Sequence, residues 1–193
     1  MTKTKISEIS LVFLFVAARP LFADVQTDLK DGKILKTSIP SSGIWPGRAM
    51  GVVNAPADEV FKVVTDFAAY QKFVSQIKIS KQVEGKKDEY YLEGEFPWPL
   101  KKTWVRVRIK LAKNGEVHFV NWEMIAGTMK KYEGMAWIQP WGKNRTVLTY
   151  QMLAVPSISA PNAIMAQGLK QASAELVKVI REQVEKKPYS KSF

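Results

Sequence analysis

Cysteine is absent from the 193-residue chain. That excludes disulfides, thiolate metal sites, cysteine nucleophiles and lipid attachment at a cysteine. Histidine occurs once, as His118. A single imidazole permits a Ser-His-Asp arrangement on paper but not a multi-histidine metal centre. Gly-rich phosphate loops of the P-loop or dinucleotide type are missing, which argues against nucleotide-driven transport. No motif implies a cofactor or a metal. Acidic residues are outnumbered, with 18 Asp and Glu against 29 Lys and Arg and a formal net charge of +11. Basic proteins often bind nucleic acid, but most of these cations are lysines, without an arginine cluster, zinc knuckle or RNA-recognition signature. With 46% hydrophobic and 24% charged residues, the composition is that of a packed globular protein. The length fits one domain.

The longest hydrophobic run, Ile9 to Ala18, is too short to span a membrane comfortably, which takes about 20 residues. It follows Lys3 and Lys5 and has the length of a signal-peptide core. Cleavage fits after Ala18 or after Ala23. Ala23 is favoured, because Pro20 breaks the apolar helix and Asp24 opens a polar stretch. Residues 1–23 are therefore expected to be a signal peptide, and the protein to be exported across the inner membrane, into the periplasm. Residues 24–41 read as a polar lead-in with one strand around Lys33–Ile39. Residues 42–187 form the domain, and 188–193 a tail.

Within the domain, Arg48 to Asn54 reads as a strand ended by Ala55-Pro56. A helix then begins near Pro56, with Asp58 and Glu59 suited to its positive N-terminus. Asp66 is positioned to cap a second short helix carrying Tyr70 and Phe73. From Ile77 the period changes to two, giving strands at Ile77–Val83 and Glu89–Phe96. Pro97-Trp98-Pro99-Leu100 is a loop. Trp104–Lys113 and Glu116–Ile125 flank Asn114-Gly115, the signature of a two-residue hairpin turn. That turn predicts Leu111 opposite His118, Ile109 opposite Val120, Val107 opposite Trp122 and Val105 opposite Met124. These pairs make one apolar side. The other side carries Arg108 opposite Asn121 and Arg106 opposite Glu123. Two more strands, Tyr132–Gln139 and Arg145–Ala154, precede a long amphipathic helix from Asn162 to Lys186. Its apolar stripe is Ile164, Met165, Leu169, Ala172, Leu176, Val179, Ile180 and Val184.

A one-sided apolar sheet needs a cover, and the long helix is the element able to provide it. The expected fold is α+β: a curved antiparallel sheet of about seven strands wrapped around a long C-terminal helix, with two short helices after the first strand. The stretch Gly51 to Phe67, an apolar strand, Ala-Pro, helix and Thr-Asp, resembles the opening of the START-like (SRPBCC) superfamily, the helix-grip fold. Trp122, Gly127, Tyr132-Glu133-Gly134 and Trp137 extend the resemblance, which spans about residues 47–185. It is nearest to the polyketide cyclase/dehydrase and lipid-transport group. The resemblance implies an apolar cavity between sheet and helix that takes lipids, sterols, quinones or polyketides, with enzymes a minority.

The candidate ligand-binding residues are Val105, Val107, Trp122 and Met124 from the hairpin and Met165 and Leu169 from the helix. Trp104, Trp137, Tyr150 and Met152 are further large groups suited to an irregular hydrophobic ligand. Trp98, Lys101 and Lys102 combine an aromatic with two cations and suit contact with an anionic membrane surface. His118 is the one candidate general base, with no carboxylate beside it on its own hairpin face. The expected function is binding or carrying a hydrophobic small molecule or lipid. The alternatives are a cyclase- or hydratase-type enzyme using His118, or a basic macromolecule-binding module.

Overall fold

In β2, Gly47–Val53, every second side chain is buried, and the same alternation runs through β8, Thr146–Pro156. The two strands pair antiparallel from Gly47↔Met152 to Val53↔Thr146. This pairing joins the two ends of the domain and sets the rest of the topology. In the computed structural model, which describes residues 24–96 and 101–186, an eight-stranded antiparallel sheet runs in the order β1-β2-β8-β7-β6-β5-β4-β3. The other strands are β1 (Leu35–Ser38), β3 (Ile77–Gln82), β4 (Glu89–Phe96), β5 (Lys101–Asn114), β6 (Val117–Gly127) and β7 (Met129–Pro140). The eighth strand is β1, which lies in the segment read as a lead-in and pairs with β2 from Leu35↔Met50 to Ser38↔Gly47. Residues 24–30 of that segment form a helix, α1, and bury Leu29. The segment is thus part of the domain's structure. The signal-peptide reading falls on residues 1–23, outside the described residues.

Helix α2, Ala57–Thr65, starts behind Pro56 with Asp58 and Glu59 in its first turn, as its sequence requires, and buries Val60, Val63 and Val64. Asp66 stands at the N-cap position of the following 3-10 helix, Phe67–Lys72, but its side chain makes no capping hydrogen bond. Helix α3, Asn162–Glu185, buries Met165, Leu169, Ser173, Val177, Ile180 and Val184 at spacings of three and four. Ile164, expected in that stripe, is 50% exposed because it is a third of a turn away from Met165. α3 approaches β2 closely. A Cβ on Gly47 would collide with the Leu169 backbone, and one on Gly51 would press on Val177. The helix packs against β1, β2, β8 and α2, while α2 also covers β6 and β7.

The β5–β6 hairpin turns one step later than its Asn-Gly pair suggests. Gly115 takes φ +58° and opens a turn made of Gly115 and Glu116, closed by Asn114↔Val117. Left-handed backbone at the first turn position suits glycine. The pairs become Leu111↔Val120, Ile109↔Trp122 and Val107↔Met124, and a bulge between Arg106 and Val107 shifts Val105 opposite Gly127. The displacement is by two residues along β6, so every side chain keeps its predicted face. Arg108 consequently faces Glu123, and Lys110 faces Asn121. Arg106 turns to Glu89 on β4.

Candidate ligand-binding site

The concave side of the sheet, beneath α2 and α3, carries the side chains that alternate inward. Val105, Val107, Trp122 and Leu169 belong to one buried cluster, with Met124 half-buried against it. Met165 is buried on the inner side of α3 near its first turn. All six sequence-chosen wall residues therefore lie on the inner faces of their elements. Trp104 and Trp137 do not. Trp104 alternates with the buried Thr103 and Val105, points outward and stacks on Tyr91, and Trp137 lies beneath the Arg48 guanidinium on the outer face.

The centre of the inner face is aromatic. The Trp122 ring is 4.9 Å from Tyr150 and 6.0 Å from Phe67, and Phe67 is 4.9 Å from Tyr70 and 5.6 Å from Tyr90. Such pairs add about 0.5–1.5 kcal/mol each beyond their buried area. The Tyr70 hydroxyl donates to the Val64 carbonyl at 2.9 Å. Burial pushes the Tyr150 phenol well up, and it pushes Tyr132 up to about 12 against the opposing effect of a hydrogen bond with Trp122. Both phenols hold their protons throughout the neutral range. The Trp122 indole Nε1 is buried beside the Tyr132 phenol.

Tyr70, Tyr90 and Tyr132 were not among the sequence candidates. The signal for Tyr132 was available, since it alternates with Gly134, Ala136 and Ile138, and Ala136 and Ile138 are fully buried. Four methionines, Met124, Met129, Met152 and Met165, also lie inward. They lie toward the end of the sheet where α3 begins, away from α2.

His118 sits at the other end. Its Nε2 is 3.2 Å from Asp58 Oδ1 and its ring centre is 4.6 Å from that of Phe61, both on α2. The carboxylate that the hairpin lacks is therefore supplied across the core by α2. Among the membrane-contact candidates, Lys102 is ion-paired with Glu93 at 3.0 Å, and this bond raises its pKa. Trp98 and the side chain of Lys101 lie outside the described residues. Among the described residues, no cluster of three or more His, Asp or Glu is placed to hold a metal ion, and no helix is long and apolar enough to cross a membrane.

A cleft of about 250 Å³ lies over the β5–β8 strands, lined by Trp122 and Gly134 together with Arg108, Lys110, Asn121, Glu123, Glu133, Met135 and Gln151. Its charges are mutually engaged: Lys110 bonds Glu123 at 2.7 Å, Glu133 bonds Lys131 at 2.8 Å and Arg108 bonds Glu89 at 2.8 Å. A charged lining of this kind is a poor receptor for an apolar ligand. The inner aromatic face is the better chemical match.

The sequence profile of the family described as polyketide cyclase / dehydrase and lipid transport matches residues 53–180. No curated protein sequence matches the chain. Solved structures with the same fold include the STAR-related lipid transfer protein from Xanthomonas axonopodis, with 21% identity and a TM-score of 0.66 over 79% of this chain and 92% of that one. Human STARD10 aligns with 14% identity and a TM-score of 0.65 over 86% of this chain and 79% of that one. The Zhui aromatase/cyclase from a Streptomyces species gives 14% identity and a TM-score of 0.54 over 79% and 94%.

Proposed function

Because this chain belongs to the polyketide cyclase / dehydrase and lipid transport family, we propose that it binds and carries a hydrophobic ligand, a lipid, quinone or polyketide-like molecule, between the concave sheet face and α3. The observation that carries this reading is the inner cluster in which Trp122, Tyr150 and Phe67 pack together with Met129 and Met152, and with Met124 at its margin. Lipid transfer in the name of the Xanthomonas structure supports the same ligand class. Binding works by burial: each Å² of apolar ligand surface removed from water yields about 25 cal/mol before ordering costs. The ligand enters at the methionine end, because α2 closes the other. Val105, Val107, Trp122, Met124, Met165 and Leu169 form the walls. The apolar N-terminal run supports export, so the carrier works in the periplasm and meets anionic membrane through Trp98, Lys101 and Lys102.

Titration with the neutral fluorescent hydrophobe N-phenyl-1-naphthylamine tests the reading. Saturable binding is expected, weakened about tenfold or more when Met124→Trp fills the accessible end. Unsaturable or absent binding by a folded protein overturns it.

The His118–Asp58 contact favours one alternative, a cyclase-type enzyme in which Asp58 orients the imidazole. His118→Gln separates the two readings. The carrier keeps its probe affinity. An enzyme loses turnover of a polyketide-like substrate.

A further inference from the structure

The cleft over β5–β8 opens on the side of the sheet away from α2 and α3. Arg108, Asn121 and Gln151, which line it, each stand between two buried inward residues of their strands. At its centre is Asn121. The register sets Lys110 on one side of it and Met135 on the other, with Glu123 and Glu133 directly opposite each other two residues further along. A short side chain among longer ones leaves the hollow of about 250 Å³. The Asn121 side-chain amide is half-buried and makes no hydrogen bond to any described residue.

The charges around it are already balanced. Lys110 bonds Glu123 Oε1 at 2.7 Å, Lys131 bonds Glu133 Oε1 at 2.8 Å, and Arg108 bonds Glu89. The lining holds two cations, Arg108 and Lys110, and two carboxylates, so an ion of either sign meets as much repulsion as attraction. What stays open is hydrogen-bonding capacity. Glu123 and Glu133 each keep an Oε2 acceptor, and like charges opposed across a strand pair repel unless a donor comes between them. Gln151 turns its amide oxygen to Arg48, 2.9 Å from Nε and 2.6 Å from Nη2. A guanidinium only donates, so the amide NH2 is the group Gln151 has left to offer. Lys110 has N–H donors beyond the one that Glu123 takes. Met135 is the one apolar side chain of the strands' outward set in this lining.

A hydroxyl both donates and accepts. Vicinal hydroxyls on a ring therefore fit the pattern: they donate to the two carboxylates, accept from the amide and ammonium groups, and set a C–H face on Met135. We propose that this cleft is a second binding site, centred on Asn121, for a neutral pyranose sugar. It stands apart from the carrier reading, because it lies on the opposite side of the sheet from α3.

The test titrates methyl α-D-glucopyranoside, mannopyranoside and galactopyranoside into the ¹⁵N-labelled full chain, following the assigned side-chain NH2 signals of Asn121 and Gln151. Saturable shifts at millimolar concentration are expected with at least one sugar. Asn121→Val should weaken that binding about tenfold or more while affinity for N-phenyl-1-naphthylamine holds. Should Asn121→Val fail to fold, Glu133→Gln, at an exposed position, is expected to weaken sugar binding in the same way. No saturable shift with any of the three sugars overturns the proposal, as does an affinity that survives the substitution. Saturable shifts of the same size with acetate or methylammonium also overturn it, since they would assign the cleft to an ion.

Discussion

The indole edge of Trp122 rests directly on the backbone of Gly134, its register partner across β6 and β7. A Cβ at Gly134 would overlap both the indole and the Gln151 carbonyl oxygen. The glycine is required for close approach, not for an unusual backbone angle. Gly134→Ala is expected to destabilise by about 1–3 kcal/mol in denaturant melts, because the core must shift to admit one carbon. It should also weaken probe binding, since the indole moves with the strain. Unchanged stability would show that the indole is free to swing aside.

Leu169 and Met124 should behave differently although both are proposed wall residues. Leu169 is 4% exposed and lies over Gly47, so Leu169→Ala should cost about 2–5 kcal/mol. Met124 is half-buried at the accessible end, so Met124→Ala should cost less than half as much and act mainly on ligand affinity. Parallel urea melts and probe titrations check the contrast.

Ser173 occupies the α3 position between Leu169 and Val177, which face Gly47 and Gly51 of β2. Its hydroxyl is fully buried and unpartnered. Ser173→Ala should therefore leave stability unchanged or raise it by about 1 kcal/mol, without altering probe affinity. A clear loss of stability would reveal a hydrogen bond that the hydroxyl makes.

Glu89 joins β4 to β5, accepting from Arg106 Nε at 2.7 Å and Arg108 Nη2 at 2.8 Å. The bond from Arg108, then that from Arg106, holds its carboxyl below the ordinary range. A carboxylate with a depressed folded pKa contributes stability above its unfolded pKa and loses it as pH falls through the folded value. Glu89→Gln should lower the melting temperature at neutral pH and flatten its decline between about pH 5 and pH 2. A melting curve superimposable on the wild type's at every pH would contradict this.

Much of the architecture was legible because the signals were periodic. Alternation in the β5–β6 segment assigned both sides of the hairpin, and the displaced turn did no harm because it moved β6 by an even number of residues. The edge strand Leu35–Ser38 gave only a faint signal, since its stability comes from β2 and α3 and not from its own pattern. The stripe on α3 was read from hydrophobicity, so Ile164 was included and Ser173 omitted; contact with the glycines of β2 decides that face. Within the site, the aliphatic walls were visible as an alternating run. Tyr70, Tyr90 and the Asp58 partner of His118 were not, because strand pairing and helix packing bring them together from segments distant in the chain.

The most direct test of the central claim is native mass spectrometry of the protein purified from its native cells, followed by organic extraction. The account predicts a bound adduct that leaves on extraction and is recovered as a hydrophobic small molecule or lipid. Protein at its bare polypeptide mass in every preparation, with no hydrophobic molecule in the extract, would contradict it.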